Sequence, residues 1–471
     1  MLHLYDTRTR TAQDISPMDG KTLRFYCCGP TVYGPAHIGN FRTFVMQDVF
    51  RRVLELGGVP TTHIRNLTDV DDKTIRDSQK AGVSLAEFTA GWADLFHRDC
   101  AALNCLPPHA EPSAVGHIPE QIRMVQTLVE KGHAYVSEDG SVYFRISSFP
   151  EYGRLSHLDE RDLDLGKTAN TRSNADEYEK DSVADFVLWK SRRPEDGNNF
   201  WPSPWGEGRP GWHLECSAMI HKYFGNDFDL HSGGVDLVFP HHENEVAQSR
   251  CACGGGFARL WFHITHLLVD GGKMSKSLGN MYTLADLDKL GHRPSAVRYV
   301  LAGGYYRRPL NFTLSSLEDA KAALNRLSKF DMQLRNASGT DSVPSYEEFC
   351  AAFPELGIFQ PAWDSLNDDL NTPEALGHVF SAIRKADIPS LSPEEAARLR
   401  NAFHFILAAF GIILPEEGQE EAPEEIRTLA DQRWQAKQNR DWTEADRLRA
   451  EVAALGWVIK DRKDGYDLAR K

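Results

Sequence analysis

A chain of 471 residues exceeds the ~250–300 residues at which single cores stop growing, so a large domain with at least one appended domain is expected. The hydrophobic share of 41% and charged share of 25% are those of ordinary globular chains, and no apolar run approaches the ~18 residues of a membrane span. A net charge of −14 speaks against nonspecific coating of nucleic acid, yet residues 424–471 carry 11 Lys/Arg against 10 Asp/Glu and stand outside the acidic excess, as a phosphate-contacting module would.

The opening MLHLYDTRTRTAQDI lacks the charged-then-apolar layout of a secretory signal, and a cytoplasmic protein is expected. Leu23 to Cys28 reads as a buried strand, and the spacing of Phe41, Phe44, Val45, Val49, Val53 and Leu54 predicts a helix ending at Gly57-Gly58. A second extended stretch runs from Pro60 to Leu67. Strand, glycine-bearing turn, helix and strand make a right-handed βαβ unit with its ligand site off the strand ends. Helical segments between about Leu85 and Gly132 lead into a polar stretch, 137–203, with short strands such as Val142 to Ile146, which reads as an insertion. The sheet resumes at Gly211, with strands at Phe228 to His231 and Trp261 to Val269 and a helix-like Glu243 to Ser249 between them. Beyond Asn311 the pattern turns helical: Ser315-x-x-Glu318 predicts a capping box, and segments 315–337, 362–386 and 392–411 have helical spacing. Pro415 to Pro423 reads as an acidic linker. A helical pair, the strand-like Trp457-Val-Ile and a turn at Asp464-Gly465 follow.

Three constellations carry chemistry. Between the first strand and helix lies Pro30-Thr-Val-Tyr-Gly-Pro-Ala-His-Ile-Gly-Asn40, where a helix N-terminus offers unpaired N–H donors, Gly39 permits close approach of a nucleotide and His37 adds a donor. Lys273-Met-Ser-Lys276-Ser-Leu-Gly-Asn280 is a cationic loop able to neutralise a departing pyrophosphate, and it lacks the P-loop pattern. The third set combines thiols, imidazole and carboxylate: Cys28, Cys216 and Pro240-His-His-Glu-Asn-Glu245, a donor set suited to zinc. If residues 241–245 are helical, His241 and Glu245 share a face. Cys27 points to the opposite side of an extended strand from Cys28, so one of the two reaches such a site. His242 and Glu243 are expected to orient ligands or stabilise the helix start, and Cys251-Ala-Cys253 is a weak second pair.

The first two motifs resemble the HIGH and KMSKS sequences of class I aminoacyl-tRNA synthetases, with Asn40 departing from the final histidine and retaining an amide donor. CGPTVYGPAHIGN, PGWHLECSAM, FPHHENEVAQS and KMSKSLGN, in that order, resemble the cysteinyl-tRNA synthetase family. The resemblance implies an α/β fold: a Rossmann-like parallel sheet split by an insertion, then an all-α domain and a small C-terminal domain. It divides the chain into residues 1–136 and 206–282 as catalytic halves, 137–205 as connective insertion, 283–414 as stem-contact region and helical bundle, and 424–471 as anticodon-binding domain. It implies cysteine–tRNA ligation by a monomer, with ATP, L-cysteine and tRNA(Cys) as partners, one Zn2+ on Cys28, Cys216, His241 and Glu245, and Mg2+ with the ATP. His37, Gly39, Asn40, Lys273 and Lys276 are implied at the nucleotide, and Gly29, Thr68, Trp212 and Asp236 around the bound cysteine. The alternative is a cysteine ligase acting on an amino-sugar acceptor, which would have little use for Asp368-Asp-Leu-Asn-Thr-Pro373 or the last 48 residues. Trp434, Trp442 and Trp457 are candidates for stacking on RNA bases.

Overall fold

Leu23, Phe25, Tyr26 and Cys27 alternate to both faces of an extended segment and all are buried, the signature of a central parallel strand covered on both sides. In the computed structural model, which describes residues 1–158, 185–274, 279–415, 424–439, 441–462 and 465–470, this segment is β1 (Leu23–Cys27). It leads to α1 (Ile38–Leu56) and back to β2 (Thr61–Arg65), parallel to β1 with Phe25 opposite His63. A further helix, α2 (Leu85–Ala102), follows.

A five-stranded antiparallel sheet then interrupts the fold: β3 (Ala134–Val136), β4 (Val142–Phe144), β5 (Phe186–Ser191), β6 (Trp201–Ser203) and β7 (Gly206–Pro210), in spatial order β3-β4-β5-β7-β6. The parallel sheet resumes with α3 (Trp212–Phe224), β8 (Asp227–Gly234), α4 (Glu243–Cys253) and β9 (Phe257–Ile264). The order β9-β8-β1-β2 means that the chain winds one way from β1 and the other way from β8. The crevice at such a reversal, off the C-terminal ends of β1 and β8, is where open α/β sheets bind ligands.

Two expected elements are divided. The strand expected over Trp261–Val269 ends at Ile264, because Thr265 turns its N–H and hydroxyl to the Tyr306 carbonyl; Leu267–Val269 then joins another sheet, parallel to Leu310–Phe312. The helix expected over 362–386 is two, α7 (Gln360–Asn367) and α8 (Thr372–Lys385), once α5 (Pro294–Gly303) and α6 (Leu314–Ser338) have been passed. Asp369 and Leu370 break it in left-handed conformations, φ +55° and +49°. Asp369 receives the Tyr5 N–H, the hydroxyls of Tyr305 and Tyr306 and the Arg307 guanidinium, so this carboxylate ties the N-terminus to the helical region and does not stand out for RNA. The cap of α6 is Thr313 with Ser316, two residues earlier than the expected Ser315–Glu318 pair. The last helix of this unit is α9 (Pro393–Phe410).

Residues 414–471 form a separate unit. Its helices α10 (Glu424–Gln438) and α11 (Trp442–Ala454) pack with the antiparallel hairpin β10 (Trp457–Arg462) and β11 (Gly465–Arg470). Residues 416–423 of the expected linker and Asp464 of the expected turn lie outside the described residues. Trp457 belongs to this unit's core with Ile426, Ala430, Val452 and Ile459, Trp434 lies near Tyr466, and Trp442 is 59% exposed.

Candidate metal centre and nucleotide site

The strand ends converge on one face. Cys28 follows β1; two positions back, Tyr26 lies opposite His231 of β8, and Gly233 lies opposite His263 of β9. The period of two puts Cys28, Tyr26, His231, Trp261 and His263 on one side, and sends Cys27 to the other, where its thiol pairs with Ser232. α3 brings Cys216 to Cys28 with 3.9 Å between sulfurs, inside an apolar shell of Tyr26, Met219, Ile220, Phe228 and Trp261. The chain from Val238 turns into α4, and His241 Nε2 meets Glu245 Oε1 at 2.9 Å. Glu245 Oε1 is also 3.8 Å from Cys28 Sγ.

All four expected donors, Cys28, Cys216, His241 and Glu245, are buried with ligand atoms within 4.8 Å of one another. Donors ~2.0–2.3 Å from a tetrahedral ion stand ~3.3–3.8 Å apart, so the sulfur–sulfur and sulfur–oxygen spacings are compatible with an ion, and the His241–Glu245 pair is closer, at hydrogen-bond distance. Electrostatics agree. Burial works against a charged Glu245, but His231 and His241 outweigh it and hold its carboxyl at about 2. Burial likewise disfavours a charged His241, yet Glu245 and Cys216 push it up to about 10, and the hydrogen bond from Cys28 draws the Cys216 thiol down. The cluster gathers positive charge at its centre, as a set of anionic donors built for a cation does.

A second set shares two of these donors: Cys28, His231, His242 and Glu245. His242 Nε2 lies 3.3 Å from Cys28 Sγ, and His231 Nε2 lies 2.8 Å from Glu245 Oε2. His242 is thus a neighbour of the ligands, and its Nδ1 meets His263 Nε2 at 2.7 Å, with Thr7 beyond. His213 Nδ1 meets His241 Nδ1 at 2.9 Å, fixing that ring from behind. Burial holds His213, His242 and His263 well below the usual imidazole range, so they serve as neutral imidazoles. Glu243 turns away from the cluster: it accepts from the N–H groups of Gly153 and Ser156 and from the Ser156 hydroxyl, which pins the segment carrying Leu155 against the same apolar shell. Cys251 and Cys253 end α4 and join neither set. Sequence reasoning missed His213, His231 and His263; strand parity with Cys28 was the available signal for the last two.

At the other side of the crevice, His37 caps α1. Its ring accepts the Asn40 N–H, and Asn40 Oδ1 accepts the His37 N–H, so the HIGN sequence is a reciprocal cap that sets the helix end. Gly39 is packed under Met274: a Cβ at 39 would sit 2.4 Å from the Met274 methyl, so the two expected nucleotide motifs touch. Lys273 lies on a short strand paired with Leu268, and Lys276 falls outside the described residues. Among the residues expected at the amino acid, Gly29 tolerates no side chain, since a Cβ would fall 1.7 Å from the Asn66 carbonyl oxygen. Thr68 is buried and bridged to Thr31, Trp212 lies 4.4 Å from the His241 ring at 40% exposure, and Asp236 is exposed just past β8.

A split parallel sheet with its crevice between these motifs defines the class I aminoacyl-tRNA synthetases, and comparison with solved structures agrees: Mycobacterium tuberculosis methionyl-tRNA synthetase in complex with methionyl-adenylate superposes with a TM-score of 0.57 at 14% identity, covering 83% of this chain and 89% of that one. The family model for the tRNA synthetases class I (C) catalytic domain matches residues 14–322, a DALR domain matches 363–414, and the cysteinyl-tRNA ligase anticodon binding domain matches 419–466. The cysteine–tRNA ligase of Opitutus terrae is 51% identical over 99% of this chain and 98% of its own, and that of Protochlamydia amoebophila is 42% identical over 100% and 98%. The chain belongs to the cysteinyl-tRNA synthetase family and is a cysteine–tRNA ligase. The match through the last residues leaves the amino-sugar ligase reading without support. No helix among the described residues is long and apolar enough to cross a membrane.

Proposed function

We propose that this ligase selects cysteine through one zinc ion held by Cys28, Cys216, His241 and Glu245. The observation that carries the reading is the convergence of two thiols, an imidazole and a carboxylate within 4.8 Å in an apolar shell. The first donor set is preferred over the one with His231 and His242 because it contains both sulfurs, and thiolates suit zinc best. Bound there, zinc supplies a soft Lewis-acid centre that favours the deprotonated thiol of cysteine over the hydroxyl of serine. Ten-thousandfold preference takes ~5–6 kcal/mol, whereas an apolar pocket separating near-isosteres gives ~1–3 kcal/mol. Glu245 is the donor able to make room for the substrate sulfur, since His231 already holds its second oxygen.

Around this centre, Gly29, Thr68, Trp212 and Asp236 receive the amino acid. His37, Gly39 and Asn40 place ATP at the N-terminus of α1, with Mg2+ on its phosphates, and Lys273 and Lys276 stabilise the pyrophosphate as the amino-acid carboxylate attacks the α-phosphate. The protein works as a cytoplasmic monomer, with residues 137–205 as the connective insertion, 283–414 meeting the tRNA stem and 424–471 reading the anticodon of tRNA(Cys). The test is Cys216→Ser: zinc per chain and cysteine-over-serine activation both fall, and full zinc loading with unchanged preference defeats the reading.

A further inference from the structure

Asp72 opens the helix Asp72–Ala81 and is clasped by two cations of the antiparallel sheet. Lys190 of β5 brings its Nζ to Asp72 Oδ2 at 3.0 Å, and Arg209 of β7 brings Nη2 to Oδ1. Both cationic side chains are buried, 8% and 9% exposed. Arg209 also turns its Nε to Asp196 Oδ1 at 2.8 Å, so its planar fork is held between two carboxylates. Two further contacts join the same pieces. Trp201 of β6 packs against the cluster of Val70, Ile75, Leu85 and Ala114, and Gln79 Nε2 donates to the Glu195 carbonyl at 2.8 Å.

Both sides of this latch run into the residues expected at the amino acid. Thr68 lies four residues before Asp72, and Trp212 three after Arg209. The Thr68 N–H donates to the Pro30 carbonyl and the Val32 N–H to the Thr68 carbonyl, each at 3.1 Å, which ties that loop to the one after β1. On the other side the Gly211 N–H donates to the Leu188 carbonyl at 2.8 Å, and a Cβ at 211 would fall 2.3 Å from the Val187 carbonyl oxygen, so the chain enters α3 pressed against β5. Thr68 and Trp212 therefore sit on two separately anchored segments, and the ion pairs of Asp72 span the gap between them. A buried ion pair adds little net stability over an apolar contact of the same size; its better use is to fix a register that apolar faces leave free to slide.

We propose that Asp72 is a positioning residue for the cysteine pocket: paired with Lys190 and Arg209, it sets the spacing between Thr68 and Trp212. This rests on the reading that those two residues line the pocket. The antiparallel sheet thereby bears on amino-acid binding through one carboxylate.

The test is cysteine-dependent ATP–pyrophosphate exchange by the zinc-loaded full chain. In Asp72→Asn the cysteine KM rises about 10-fold, short of the roughly hundredfold that a 1 Å misplacement can cost, while kcat, the ATP KM and zinc per chain stay within about twofold. Asp72→Glu, which keeps the charge, recovers most of the loss. Lys190→Met, which keeps the side-chain length and drops the charge, moves the cysteine KM in the same sense and decides the question if Asp72→Asn fails to fold. Added to Trp212→Ala, Asp72→Asn raises the cysteine KM by less than about twofold more, because with one wall removed the spacing has nothing left to set. A lowered unfolding temperature with the cysteine KM unchanged, an equal rise in the ATP KM, or full additivity with Trp212→Ala overturns the proposal alone. An unchanged cysteine KM in both Thr68→Val and Trp212→Ala overturns the pocket reading and the proposal with it.

Discussion

Two buried polar clusters lie within the first 413 residues, and they are built on opposite plans. In one, Arg298 bridges regions distant in sequence: its Nε donates to the Phe410 carbonyl at 2.7 Å, Nη1 to the Leu103 carbonyl at 2.6 Å and Nη2 to Asp48. Arg52 meets the same carboxylate at 2.7 Å, and the Leu106 N–H satisfies its second oxygen. Charges and donors there answer one another without remainder. In the other, two thiols, a carboxylate and several buried histidines face a common point, and Glu245 and Cys216 raise His241 to about 10. The first cluster is satisfied by its own side chains and carbonyls, whereas the second gathers the donor types proposed above to hold a metal.

That contrast can be broken in several ways. Stripping metal from the protein with a chelator is expected to lower cysteine activation roughly a thousandfold, the several kcal/mol a metal centre contributes, with recovery on adding zinc. Activity that survives with no metal per chain by elemental analysis would make the thiol cluster structural like its counterpart. Arg298→Ala leaves Asp48 half-paired and the Leu103 and Phe410 carbonyls unanswered, and should cost about 3–5 kcal/mol in urea unfolding with cysteine-over-serine preference unchanged; a shifted preference would show that the two clusters are coupled.

Acid sharpens the same point. Burial disfavours the Asp48 carboxylate, but Arg52 and Arg298 overcome this and hold it at about 2, below its unfolded value of ~3.9. The group therefore stabilises the fold above pH ~4, and roughly 2 kcal/mol is lost as the pH falls from there through 2. Asp48→Asn should flatten that part of the stability–pH curve; an unaltered slope would remove Asp48 from the account. Smallest is Thr313→Ala at the cap of α6, which belongs to neither cluster, at about 1 kcal/mol by thermal unfolding and no change in either activity or acid response.

The two plans also differ in how well the sequence announces them. The motifs that carry Cys28, Cys216, His241 and Glu245 resemble those of a known family before any fold is known, although the residues alone leave Cys27 and Cys28 both open, and the βαβ reading follows from the apolar run of α1 and its flanking glycines. Arg298, Asp48 and Arg52 look in sequence like ordinary helix-surface charges; nothing local says that residue 298 will meet carbonyls at 103 and 410. The same long-range dependence hid the break at Asp369, whose left-handed turn is held by Tyr5, Tyr305 and Tyr306, and the end of β9, set by the Tyr306 carbonyl. His231 lay within reach, since its parity with Tyr26 follows once β1 and β8 are paired. Glu243 did not: its partners sit some ninety residues upstream in the insertion.

The Asp369 junction bears on how the protein is made. His3 exchanges backbone contacts with Asp368 and Asp369, and the Tyr5 N–H is taken by the Asp369 carboxylate, so this part of the N-terminal hairpin's contacts forms only after nearly four-fifths of the chain has left the ribosome. Until then the strand His3–Asp6 has only its hairpin partner Thr11–Asp14, and a chain that stops before residue 369 leaves the Tyr5 N–H without its carboxylate.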